Sequence, residues 1–289
     1  MILGLSKAVK PAQNNIDRRG IFVDKVNKLD IFFVDIFNKA ESTLIKHGYL
    51  SKNSRDEAIG EQKTQLNSFR TFTDDEFYFQ LAMVIFYSGF KASTVTNKKS
   101  SIKKYFASIA KASKYTDKDI NDILSDKSII RNKIKIKSLV KNAKQMLIIQ
   151  KEFGNFRNYI VSYNKQFPLS ECNLNNLKEN LQQRFAYLGP ATVNHFLTDF
   201  AFPVIKPDRM VMRVLYRSHL LKNEYESEFE YAIQIGRRIA NLLGIPIRYV
   251  DTVLVMLGQV GEANICRKSN PRCNICDLKT ICNFNREHE

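Results

Sequence analysis

Four of the five cysteines, Cys266, Cys273, Cys276 and Cys282, fall within one short stretch with the spacing C-x6-C-x2-C-x5-C. Thiolates are soft ligands, and four of them in so short a loop can surround an iron–sulfur cubane or a tetrahedral zinc ion. In a reducing compartment such clustering points to metal and away from disulfides. Arg267, Lys268 and Arg272 occupy the longest span between cysteines, where a metal-fixed loop would present cations to phosphates. Cys172 stands outside the motif and reads as an ordinary buried or half-buried thiol.

A second group of residues is Phe185-Ala-Tyr-Leu-Gly-Pro-Ala-Thr-Val-Asn-His-Phe-Leu197, which reads as a helix, a tight turn at Gly189 and a second helix. Gly189 is expected to take the left-handed conformation that ends the first helix, and Pro190 suits the first turn of the next. The amides following Pro190 would then point outward from a helix N-terminus, a ready site for one phosphate. Farther on comes Ile205-Lys-Pro-Asp-Arg-Met-Val-Met-Arg213. A carboxylate at the mouth of a helix, as Asp208 would be, can stabilise positive charge on a sugar without being mobile; its plainer role is an N-cap. Lys206 is the nearest amine, with phosphate contact as its expected role. Asp251, in Val250-Asp-Thr252, is expected on a helix leading to the cysteines, as a surface or structural residue. Asp199 is expected on the second helix of the hairpin.

These groups must be carried by helices. Helical periodicity dominates, with little of the strict alternation that marks strands, so the fold class is all-α. From Lys25 to His47 the residues Val26, Leu29, Phe33, Ile36 and Phe37 make one apolar stripe. A polar linker is expected from Ser51 to Asn67. Thr73 and Glu76 form a capping box ahead of the apolar run Phe77 to Tyr87, a central core helix that Gly89 stops. Further helices are expected near Ser100 to Ala112, Asp117 to Leu124 and Lys133 to Lys151. On the last, Ile136, Leu139, Val140, Ala143 and Leu147 share the core face, and Lys137, Lys141 and Lys144 fall elsewhere. A loop follows Pro168, then a helix from Asn176 to Tyr187. The organisation expected is an N-terminal helical segment (1–70) packing with a C-terminal domain (201–289), and a helical barrel (71–200) that ends in the hairpin at about 177–199.

The charge sets the partner class. Lys and Arg number 45 against 29 Asp and Glu, and the resulting +16 is spread through the sequence, as on a folded surface facing a polyanion. No stretch approaches the roughly 20 apolar residues that span a bilayer, and no signal-peptide core is present, so a cytoplasmic protein without a membrane partner, nucleoid-associated if bacterial, is expected; a monomer is expected as well.

The order of hairpin, Asp208 and cysteine loop resembles the helix-hairpin-helix DNA glycosylase superfamily, in which a hairpin is followed by an aspartate at a helix start and then a helix with arginines. The cysteine spacing resembles the cluster loop of endonuclease III and of the adenine glycosylase that acts opposite oxidised guanine. Ile123-Leu-Ser-Asp-Lys-Ser-Ile-Ile-Arg-Asn-Lys-Ile-Lys-Ile-Lys-Ser-Leu-Val-Lys-Asn-Ala143 resembles 3-methyladenine DNA glycosylase I, with Arg131, Lys135 and Asn142 matching, in a likeness that runs from about Thr73 to Phe200.

The resemblance implies a [4Fe-4S] cluster on Cys266, Cys273, Cys276 and Cys282, and Asp208 as the catalytic carboxylate. It implies two helical domains flanking a cleft for double-stranded DNA with a damaged or modified base. DNA contacts are expected from Leu188, Gly189, Ala191, Thr192, Lys206, Arg209, Arg267, Lys268 and Arg272. Ser88, Phe90 and Lys91 would line the base pocket or fill the gap left by a flipped base, with Phe90 either the wedge or a residue buried in the core. Ser88 and Thr96 replace the acidic residue and the tryptophan by which 3-methyladenine glycosylase I recognises its base. With no Trp in the chain, a flipped base must stack on Phe or Tyr. Ala191 stands where bifunctional members carry the lysine nucleophile, so a monofunctional glycosylase is expected. The alternatives are a DNA-structure-binding protein without catalysis, a glycosylase/lyase that uses Lys206, and a zinc knuckle.

Overall fold

The computed structural model describes residues 27–163, 171–259 and 261–286. Among them there is no strand. The helices are α1 (Lys28–Lys46), α2 (Ser54–Thr71), α3 (Asp74–Tyr87), α4 (Ala92–Thr96), α5 (Lys99–Phe106), α6 (Ile109–Ala112), α7 (Asp117–Ser125), α8 (Lys133–Phe153), α9 (Phe156–Ser162), α10 (Glu171–Arg184), α11 (Pro190–Thr198), α12 (Arg209–Arg217), α13 (Phe229–Leu243), α14 (Ile247–Gly258) and α15 (Asn283–Arg286). None is long and apolar enough to cross a membrane.

Local signals set most of the starts. Thr73 and Glu76 form the expected capping box on α3, and Asn27 with Asp30 and Thr116 with Asp119 do the same for α1 and α7. Gly89, at φ +80°, turns the chain after α3. Four expectations are corrected. The polar stretch after Ser51 is mostly helix α2, in which only Ser54 and Ala58 are buried. It carries no apolar stripe for periodicity to reveal, and it is held by Phe69 and by Phe72 at its end. The helix expected over 100–112 is two, α5 and α6, because Ser108 caps a new start by accepting from the Lys111 amide. Leu29 and Leu147 point to solvent rather than into the core. The helix expected from Asn176 begins at Glu171 and ends at Arg184. Val26, the Pro168 loop and the Cys172 side chain lie outside the described residues.

Two groups of helices result. α1 packs on α13 and α14, and α12 packs on α14 and α13. α3 is the centre of the other group, against α5, α8, α9 and α11. Its side chains from Leu81 to Phe86 are all buried, so α3 is enclosed on every face. Where the groups meet, Phe69 and Phe72 of the α2 end, Phe77, Phe156, Phe196, Phe200 and Phe202 interlock with neighbouring ring centres 5.0–6.1 Å apart. On the other side, Asp30 of α1 accepts two bonds from Arg238 of α13, at 2.7 and 2.8 Å, and that guanidinium holds its carboxyl at about 2. The α11–α12 connection is held by Phe200 and Phe202 in the ring cluster and by Arg237 of α13, which donates to the Pro203 carbonyl at 2.6 Å.

Candidate active site and nucleic-acid interface

The hairpin is the junction of α10 and α11. The left-handed residue is Tyr187, at φ +70°, whereas Gly189 is extended, at φ −81° and ψ 178°. This corrects the expectation for Gly189, and the cause lies in α8. Asn142, fully buried, donates to the Ala186 carbonyl at 2.9 Å and accepts from the Ala186 amide at 2.7 Å, so the peptide before the turn is clamped from both sides. The Tyr187 ring lies over the Lys135 ammonium, 5.3 Å from it. Side-chain contacts thus stabilise a backbone conformation that a tyrosine ordinarily avoids. Leu188 is buried, and Gly189, Pro190, Ala191 and Thr192 are partly exposed at the start of α11. Space is open where a Cβ at Gly189 would lie.

Asp208 is the N-cap of α12. Its Oδ1 accepts from the amides of Met210 at 2.9 Å and Val211 at 3.2 Å, and its Oδ2 lies 3.5 Å from Lys206 Nζ. The N-cap role is the one the structure displays: one oxygen caps the helix, and the other faces an amine. Asp251 is buried, and the surface role weighed for it does not hold. It accepts from the Lys206 backbone amide at 2.7 Å and from Arg248 at 3.3 Å. Burial pushes its carboxyl up to about 6, against the pull of Arg248, and the neighbouring Asp208 adds to the rise. Arg248 also reaches Asp199 at 3.7 Å, and Gln80 of α3 donates to the other oxygen of Asp199 at 2.5 Å. Burial likewise raises the Asp199 carboxyl, and it holds His195 well below its usual range, with Lys206 and Arg248 pushing the same way. The network joins α3, α11, the 199–208 connection, α12 and α14. Gln80 and Arg248 were not singled out from sequence, since a lone Gln in an apolar helix and a lone Arg at a helix start carry no motif.

At the far end of α12 two arginines hold the cysteine loop. Arg213 donates to the Cys266 carbonyl at 3.1 Å, and buried Arg217 donates to the carbonyls of Arg267 at 2.7 Å and Lys268 at 3.1 Å. Arg217 Nη1 also stands 3.5 Å from Cys266 Sγ. The four cysteines are free thiols. Burial pushes Cys276 up to about 12, and the thiols of Cys266, Cys282 and Cys273 push the same way, so the four groups face one another. Among the described residues no three such side chains are close enough to grip a single ion. A tetrahedral zinc would hold its sulfurs at about 2.3 Å from one point, whereas a cubane takes one thiolate on each iron; Cys266, Cys273, Cys276 and Cys282 are the side chains that would hold either.

The remaining candidates divide by exposure. Arg209 and Lys268 are exposed, but Arg267 donates to the Asn264 carbonyl at 3.0 Å and Arg272 to Tyr49 Oη and the Ala263 carbonyl, both at 3.4 Å. Ser88 ends α3 partly buried, whereas Phe90 and Lys91 are exposed on the following turn. Tyr87 Oη lies 3.1 Å from Thr96 Oγ1, and its ring faces His195 at 6.0 Å.

The methyladenine glycosylase family model matches residues 68–198, the segment from the end of α2 through α11. No curated protein matches the chain. Among solved structures, an 8-oxoguanine glycosylase/lyase from Methanocaldococcus jannaschii, in complex with 15mer DNA containing 8-oxoguanine, aligns over 78% of this chain and 99% of its own, with TM-score 0.53 and 18% identity. 3-Methyladenine DNA glycosylase I from Staphylococcus aureus covers 45% of this chain and 77% of its own, at 22% identity and TM-score 0.39. The chain shares its helical fold with that 8-oxoguanine glycosylase/lyase, and the methyladenine glycosylase model matches less than half of it.

Proposed function

We propose that the protein is a monofunctional DNA N-glycosylase, which extrudes a damaged or modified base from duplex DNA and hydrolyses its N-glycosidic bond. The observation that carries this reading is Asp208, fixed at the mouth of α12 with one oxygen on two amides and the other turned to Lys206. A carboxylate so held is preorganised for the positive charge that builds on deoxyribose as the glycosidic bond loosens, and for placing the attacking water. Asp251 fixes the backbone of Lys206, and through it the approach to Asp208. The partly exposed amides at the start of α11 supply one phosphate contact, and Lys206, Arg209 and Lys268 supply further cations. Thr96 and Ser88 stand where 3-methyladenine glycosylase I has its recognition groups, which favours a target other than 3-methyladenine.

In this reading Cys266, Cys273, Cys276 and Cys282 hold a [4Fe-4S] cluster, which supplies structure to the loop rather than chemistry to the reaction. Iron and sulfide assays of the purified protein test it: four of each per chain are expected, and one zinc per chain would refute it. The activity is tested by mass spectrometry of bases released from genomic DNAs of different modification content. Tight binding without release from any of them would favour a DNA-structure-binding protein instead.

One observation favours a second reading, a glycosylase/lyase. Lys206 is an amine beside the proposed catalytic carboxylate, whereas the Ala191 methyl group cannot attack a sugar. Its ion pair with Asp208 works against it, since a nucleophilic amine must be free of its proton. Borohydride should therefore trap no covalent enzyme–DNA adduct; an adduct that disappears in Lys206→Ala would establish the lyase.

A further inference from the structure

The two helices of the hairpin and the start of α13 enclose a cavity of about 190 Å³ that shares no residue with the Asp208 network. Its apolar walls are Pro190, Val193 and Phe229. The polar part of the lining has acceptors to spare. Asn194, only 2% exposed, donates its side-chain N–H to the Pro190 carbonyl at 2.7 Å, and Gln182 donates to the Lys178 carbonyl at 3.2 Å. Asn194 Oδ1 and Asn175 Oδ1 are both buried without a hydrogen-bond partner, and both residues line the cavity. A buried acceptor without a donor is costly, and folded proteins satisfy such groups with protein, water or a ligand. The volume is several times the roughly 30 Å³ that one water occupies in the liquid, so a larger polar group fits.

The charge of the lining decides what that group is. Lys178 is buried and ion-paired with Glu230, which offsets its charge, and Glu179 lines the cavity as a second carboxylate. The segment leading into Phe229 adds Glu224, Glu226 and Glu228. On a chain of net charge +16 this is a local concentration of carboxylates, which repels phosphate and attracts a cation. The free amide oxygens call for N–H donors, the carboxylates for positive charge and the Phe229 ring for a flat group. A guanidinium meets all three requirements, being planar, always charged, rich in N–H donors and suited to aromatic faces. Tyr225, 73% exposed, stands among the glutamates before α13, so the acidic surface continues past the cavity and suits an occupant longer than one amino acid. We propose that the cavity receives an arginine side chain from a basic segment of a partner polypeptide, whose other cations are drawn by Glu224, Glu226 and Glu228. Asn194 also holds the carbonyl of Pro190, the first residue of α11, so the partner is seated directly on the hairpin. The site stands independently of the glycosylase reading.

The test titrates the full chain into a fluorescently labelled peptide, acetyl-Lys-Gly-Arg-Gly-Lys-amide, and follows anisotropy. Citrulline in place of the arginine keeps the shape and removes the charge, and should weaken binding by about tenfold or more, the scale of charge-assisted hydrogen bonds. Lysine in its place keeps the charge without the plane and should also weaken binding. Asn175→Ala and Glu179→Lys should each weaken binding of the arginine peptide about tenfold. Circular dichroism checks their fold, and Glu179, exposed on α10, is a position where the substitution leaves the core untouched. The affinity of Asn175→Ala for duplex DNA should stay within twofold of wild type. Absence of saturable binding at about 1 mM peptide, the weak end of specific recognition, overturns the proposal. A citrulline or lysine peptide that binds as tightly as the arginine peptide overturns it too, as does unchanged affinity in both variants. A loss of duplex affinity in Asn175→Ala as large as the loss of peptide affinity would assign the site to DNA and overturn the partner. Peptide binding that appears only in a chain carrying Arg18→Gln and Arg19→Gln would make the chain's own N-terminal segment the occupant, which also overturns the partner.

Discussion

Replacing Asp208 separates its two functions, because the cap and the charge reside in one carboxylate. Asparagine is as good an N-cap as aspartate, so Asp208→Asn should keep the acceptor for the Met210 and Val211 amides and leave stability nearly unchanged. Alanine removes the acceptor, which costs about 1 kcal/mol and lowers Tm by roughly 2–4 °C in a chain of this size. The charge is a larger matter. A carboxylate about 4 Å from a developing positive charge, at an effective dielectric of about 20, contributes about 4 kcal/mol. Its loss corresponds to roughly a thousandfold in rate. Single-turnover release of base, with thermal melts on the same samples, should therefore show both variants slowed about a thousandfold and only Asp208→Ala destabilised. Wild-type release by Asp208→Asn would refute the catalytic assignment. A melting loss in Asp208→Asn equal to that in Asp208→Ala would refute the reasoning about the cap.

Three further outcomes are expected. Burial raises the Asp251 carboxyl to about 6, so the folded state holds its proton more tightly than the unfolded state does; stability is greater below about pH 4 and declines as pH rises to about 6, by up to about 3 kcal/mol. Asp251→Asn should remove that decline from urea-denaturation midpoints, and an unchanged slope would count against it. Gly189→Ala meets open space at a φ any residue adopts, so it should leave Tm within about 2 °C while weakening DNA binding through a bulkier phosphate approach, as anisotropy would show. Phe77→Ala, at the centre of the interlocked rings, should destabilise the protein by about 3–5 kcal/mol in chemical denaturation; a loss below about 1 kcal/mol would mean the rings repack around the gap.

What was legible in the sequence was what local chemistry dictates. The capping box at Thr73, the buried run of α3 and the N-cap at Asp208 follow from residues within one turn of each other. α2 was missed because nearly every side chain it carries is solvated and the apolar pattern is absent. The left-handed position was assigned to Gly189 because glycine adopts that conformation most easily. Tyr187 takes it because Asn142 and Lys135, more than forty positions earlier in the chain, hold the turn from behind. The same limit applied to Asp251, whose neighbours Lys206 and Arg248 arrive from two different segments. A motif search sees residues that are close in sequence. The network around Asp208 is close only in space.

The packing of α1 on α13 and α14 has a consequence for the making of the molecule. Asp30 meets Arg238, Glu41 accepts from Tyr249, and Thr43 accepts from the Asp277 amide at 2.9 Å, each across more than 200 residues. During synthesis at about 5–20 residues per second, α1 waits on the order of ten to forty seconds for those partners. In that interval the helices around α3 can already assemble from contacts nearer in sequence. The face formed by Phe33, Ile36, Phe37 and Leu44 stays uncovered until α13 and α14 have emerged, so the nascent protein is most prone to aggregate just before those helices emerge.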